Sequence, residues 1–135
     1  MDEDELLARY GTHPGGDAVT ENRSLLDGEI EAGMYADSVA MRVLSVQLFN
    51  NGSVDDALRV WRAKRSNFDA GCSLDIQLMC GAGLNETKSH LTSIATGEAK
   101  AAFDYLKKCE STGDFADFTP SAFTAFYDRY YDAEL

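Results

Sequence analysis

The sequence predicts an all-α protein, either an array of antiparallel helix hairpins or a compact bundle of about six to seven helices. Three observations lead there. Apolar residues return at helical spacing in successive segments, capping residues and glycines separate those segments, and no segment offers a convincing strand partner for another.

The elements follow in order. Asp2–Tyr10 reads as a short helix, with acids in the first turn, Leu6 and Leu7 on one side and Gly11 as a stop. Thr12–Asp17 is a Gly/Pro loop, and residues 1–17 are expected to pack more loosely than the rest. Ala18–Glu31 carries Val19, Arg23, Leu26 and Ile30 at helical spacing; Gly28 weakens it and Gly33 ends it. Tyr35–Asn50 is apolar on most sides and should be largely buried, with Asn51-Gly52 forming a left-handed cap. Ser53 can cap the next helix, whose stripe is Val54, Ala57, Leu58, Trp61 and Phe68.

The run Leu74–Cys80 alternates like a strand, yet a lone strand has nowhere to place its backbone hydrogen bonds, so a short buried helix is favoured. Gly81-Ala82-Gly83 turns the chain and Asn85 is the expected cap of Glu86–Ala95. Ala99, Ala102, Phe103, Leu106 and Cys109 form the next stripe. Thr119-Pro120 restarts a helix, Thr as cap and Pro in the first helical position, and Phe123, Phe126, Tyr127, Tyr130 and Tyr131 follow on it.

Composition sets the outer limits. The 135 residues are 44% hydrophobic and 26% charged, enough for one core, so residues 1–135 are read as a single helical domain. With 23 acidic against 12 basic residues the net charge is −11, which repels phosphate backbones and anionic lipid. A nucleic-acid or membrane partner is therefore disfavoured. The acidic start, Met1-Asp2-Glu3-Asp4-Glu5, is unlike a secretory or transit leader, and a cytoplasmic location is expected. Cys72, Cys80 and Cys109 have no ligand spacing and read as reduced, mostly buried residues.

Gly52, Gly83 and Gly113 recur at separations of 31 and 30 residues, within the range of helix-hairpin repeats. Around the first of them, Leu48–Leu58 resembles the tetratricopeptide turn, with Val54 and Ala57 in the places of its bulky residue and its helix-starting Ala. The likeness covers about one unit, because the turns at Gly83 and Gly113 lack the following Ala. It implies an array of helix pairs that binds peptides or proteins along a groove.

Chemistry-bearing motifs are sparse. His13 lies in a loop and His90 on a helix, without His-x-x-x-His or paired-Cys spacing, and the acids lack a calcium-loop pattern. No catalytic, metal or cofactor residue is nominated; a Cys–His or dispersed carboxylate enzyme site is the least favoured reading. Two features stand out as partner-binding surfaces. One is the basic island Arg59, Arg62, Lys64 and Arg65 around Trp61, which would either pair with internal carboxylates or clamp an acidic peptide. The other is the C-terminal stretch, holding half of the aromatic residues, where Tyr127, Tyr130 and Tyr131 either complete the core or anchor a partner. The leading expectation is a non-enzymatic protein-binding helical module. The alternative is a small acidic inhibitor or immunity-type protein that masks a basic partner, and the aromatic helix would also suit a homodimer.

Overall fold

The computed structural model describes residues 1–134. Among them the chain forms eight α-helices and three short 3-10 turns, and no strand. Eight α-helices stand where the sequence predicts about six to seven, and the all-α, compact helical bundle is as expected.

Local chemistry explains each boundary. Helix α1 (Glu3–Tyr10) starts where the Asp2 carboxylate accepts from the Glu5 N–H and stops at Gly11, whose φ is +63°. Helix α2 (Gly16–Ala32) ends at Gly33 and passes into the 3-10 turn Gly33–Tyr35. Asp37 then accepts from the N–H groups of Val39 and Ala40, so α3 (Ser38–Asn51) begins three residues later than expected. That shift leaves Tyr35 outside the helix. Gly52 closes α3 in the left-handed conformation, and Ser53 caps the 3-10 turn Val54–Asp56, which runs into α4 (Ala57–Lys64).

Phe68 departs from its expected place in the core. The chain leaves the helical path after Lys64, and the Asn67 side chain accepts from the Ala70 N–H at 2.7 Å to start a separate α5 (Phe68–Ser73). This resets the helical phase, and Phe68 points into solvent. The ambiguous run beyond it is helical but tighter than α, a 3-10 turn over Ile76–Met79, with Leu74, Ile76, Leu78, Met79 and Cys80 all buried. Helix α6 (Leu84–Ile94) begins before Asn85, so Asn85 is not its cap; Gly83, with φ +104°, makes the turn, and its carbonyl accepts the Thr87 hydroxyl. Thr96 caps α7 (Gly97–Ser111), and Thr119 caps α8 (Pro120–Glu134) through the Ala122 N–H.

Helix α3 is the centre of the packing. It lies against α1, α2, α5 and α8, and its residues Ala40, Met41 and Val43 through Phe49 are all buried. Helices α6 and α7 pair with each other, and α4 joins α7 to α2 and α5. The N-terminal segment is tied to α3 as well: Leu6 and Leu7 are buried, and Gln47 donates to the Leu6 and Gly11 carbonyls.

Two glycines separate cleanly by their surroundings. Gly28 is exposed on α2 with open space where a Cβ would stand, whereas a Cβ on Gly81 would fall 2.4 Å from the Phe49 carbonyl oxygen. Gly28→Ala should therefore raise the unfolding free energy by about 0.5–1 kcal/mol, by reducing unfolded-chain entropy. Gly81→Ala should lower it by about 1–3 kcal/mol, because the turn must move away from the end of α3. Urea denaturation of both variants checks the pair; equal midpoints would show that the Gly81 turn yields freely.

Candidate functional site

The segment leading into α8 builds the most distinctive surface. After α7 the chain turns through Gly113, at φ +92°, and Asp117, at φ +57°. The left-handed conformation is one that Asp tolerates better than most residues. The Gln77 side-chain amide donates to the Asp114 carbonyl at 2.6 Å, fastening this loop to the Ile76–Met79 turn. Phe115 goes into the core, and from it a series of ring contacts runs through Phe118 and Phe123 to Phe126 and Tyr127, with centroids 5.1–6.0 Å apart. Phe49 from α3 meets both Phe118 and Phe123 edge-on.

This arrangement encloses an open cleft of about 380 Å³ whose walls include Phe118, Phe123 and Phe126 and whose rim carries Asp75, Asp114 and Asp117. All three carboxylates belong to exposed residues, and Phe126 is 48% exposed. Asp75 accepts the Tyr127 hydroxyl at 2.6 Å, which holds it beside the α8 face. Lys64 comes close to Asp75, but its ammonium donates to the Gly71 and Leu74 carbonyls at 2.7 and 2.6 Å, and burial pulls its pKa down. Three carboxylates against this one ammonium leave the rim with a negative potential above an aromatic floor, a combination suited to a cationic group.

The residues nominated from sequence are placed differently. Tyr127 and Tyr131 are buried and serve the core, so they are not exposed anchors; residues 123, 127 and 131 share one side of α8, and that side faces inward. Tyr130 is half-buried and accepts from Arg42, whose guanidinium also lies over its ring at 5.1 Å. Trp61 is buried, with Arg65 stacked 5.1 Å from its ring. Trp61, Arg62 and Arg65 do meet at one shallow cleft, together with Glu98. Arg62 binds Glu98 through both Nε and Nη2 there, and this pairing holds the Glu98 carboxyl below its ordinary pKa. Arg59 turns instead to Asp27 and to Asp56. No free guanidinium clamp results from Arg59 and Arg62. Phe126, grouped by sequence with the core stripe, is the exposed ring; its flanking position on α8 was visible in the spacing, but not which flank faces water.

The remaining reactive groups are subdued. Burial pushes the Cys80 thiol up to about 12, against lowering by Thr87 and Lys88, and it also raises Cys109. Cys72 is the exposed cysteine. His13 shares both oxygens of Asp128 at 3.1 and 3.0 Å, and His90 lies 3.9 Å from Asp55. Among the described residues no group of three His, Cys, Asp or Glu is arranged to hold a metal ion, and no helix is long and apolar enough to cross a membrane. No family model, curated protein or solved structure matches the chain.

The packed tyrosines make stability depend on alkaline pH. Burial raises the pKa of Tyr127, further raised by its bond to Asp75, and pushes Tyr131 up to about 12 against the neighbouring Arg42. Each folded value exceeds the unfolded one, so the folded state holds more protons. Their contribution is whole below the unfolded value of about 10 and is lost as pH rises above it. Denaturation midpoints should therefore fall steeply above that pH, and the Tyr127→Phe, Tyr131→Phe double variant should show a shallower fall. An unchanged slope would assign the alkaline loss to other groups.

Proposed function

We propose that this protein is a non-enzymatic binding module that seats a Lys or Arg side chain of a basic protein segment in the cleft at the start of α8. The observation that carries this reading is the juxtaposition of three rim carboxylates with the exposed aromatic floor. Cation–aromatic contacts contribute roughly 0.5–2 kcal/mol, more as water is excluded, and the rim carboxylates add steering over longer range. The net charge of −11 extends that attraction beyond the cleft. Occupation of Arg59 and Arg62 by internal carboxylates supports a basic partner over an acidic peptide. The raised thiols of Cys80 and Cys109 support occupancy rather than nucleophilic turnover as the mode of action. In this reading the module masks a basic surface, as an inhibitor does.

The test is titration with a lysine-rich peptide at low and high salt. Asp114→Asn with Asp117→Asn removes two charges, and Asn keeps the left-handed geometry that residue 117 requires. Binding should weaken about tenfold with a reduced salt slope, and Phe126→Ala should weaken it by a similar factor at both salts. Peptide affinity that is indifferent to all three substitutions would sink the cleft as the binding site.

A further inference from the structure

A second surface lies where the end of α2 meets the start of α5. Met34, Tyr35 and Phe68 are the most exposed large apolar side chains among the described residues, at 78%, 88% and 83%. The fold brings them to one place: the Asn67 amide donates to the Gly33 carbonyl at 2.8 Å, so Phe68 and Met34 each follow directly on one partner of that bond. Their exposure is not a gap in the packing. Asn67 caps α5, Ala70 and Leu74 anchor it, and Phe68 takes no part in either task. The exposed charged residues within three positions of the three along the chain are the acids Glu31, Asp37 and Asp69 and one cation, Arg65, whose guanidinium lies over the Trp61 ring, so the border is acidic by three to one.

We propose that this patch docks the apolar face of an amphipathic segment flanked by Lys and Arg, contributed by another protein. The apolar centre and acidic border match such a segment in both respects, and a helix presents its apolar residues and cations in this close arrangement. A second copy of the chain brings −11 against −11, and the acidic border repels anionic lipid. The patch stands apart from the α8 cleft in its residues and does not depend on the cleft reading.

The experiment uses the full chain and a fluorescent synthetic helix with leucines on one face and lysines on the other, followed by anisotropy. Tyr35→Ser with Phe68→Ser should weaken binding at least roughly tenfold while thermal unfolding is unchanged, since both side chains are exposed. Asp114→Asn with Asp117→Asn should leave it within about twofold, which separates this surface from the cleft. Failure of the lysine-faced helix to bind would overturn the proposal, as would equal affinity in the Tyr35/Phe68 variant. So would equal binding of a glutamate-faced helix, or a dimer of the unaltered chain in sedimentation that the variant dissolves. Capture of phosphatidylserine vesicles lost in the variant would also overturn it, in favour of a lipid surface.

Discussion

Gln47 is the polar group around which the packing is arranged. It has no exposure, sits amid the buried face of α3, accepts from the Asn22 amide at 2.6 Å and donates to the Gly11 carbonyl at 2.8 Å and the Leu6 carbonyl at 3.2 Å. An apolar side chain of equal volume would fill the space but take this partner from the Asn22 amide and the Gly11 carbonyl, each at about 1–3 kcal/mol. This one amide thus fixes α1 and α2 in register on α3. One turn further along, Asn50 donates to the Thr12 carbonyl and accepts the Thr124 hydroxyl, both at 2.7 Å, while Thr12 and His13 reach Asp128. The rotation of α8 about its axis is therefore set from the end of α3, and with it which aromatic residues face the core and which face solvent.

A second constraint acts on the charges. Asp56 is 3% exposed and accepts from Arg23 at 2.8 Å and Arg59 at 2.7 Å, so the desolvation of one carboxylate is offset by two guanidiniums. Arg59 extends to Asp27, and Arg62 holds Glu98 across to α7. These contacts join α2, α4 and α7 along one side of the molecule. They pair arginines with carboxylates and so leave the net charge of −11 unchanged, while Asp75, Asp114 and Asp117 at the α8 loop stand outside this network.

Legibility in the sequence followed the range of the interaction. Gly52, Ser53, Thr119 and Pro120 act within a few residues, and their roles in starting and stopping helices were readable directly. The α7 stripe was readable for the same reason, since Ala99, Ala102, Leu106 and Cys109 share one face whatever covers it. Asn22 and Gln47 were not, because a lone amide in an apolar stripe has no local mark of the carbonyl it will meet far along the chain. Phe68 failed differently: its spacing from Trp61 fitted a continuous helix, and only the competing Asn67 cap, a local signal passed over, breaks that continuity. In the cleft, Thr119 and the Phe residues were legible as parts, whereas the approach of Asp75 to the α8 face required the tertiary fold.

The two surfaces share a physical logic. In α8, Phe123, Tyr127 and Tyr131 stack inward on α3 and its neighbours, which holds the helix firmly enough that Phe126 stays in place with half its surface in water. In α5, the Asn67 cap, Ala70 and the two carbonyl bonds from Lys64 hold the helix, which leaves Phe68 free of any structural duty. An aromatic side chain on a fixed backbone loses less freedom when a partner covers it than one on a mobile loop. Carboxylates outnumber cations near each ring: Asp75, Asp114 and Asp117 share a cleft with Phe126, and Asp69 follows Phe68 in the chain. The two proposals therefore rest on one physical requirement, a partner that presents apolar surface and positive charge together.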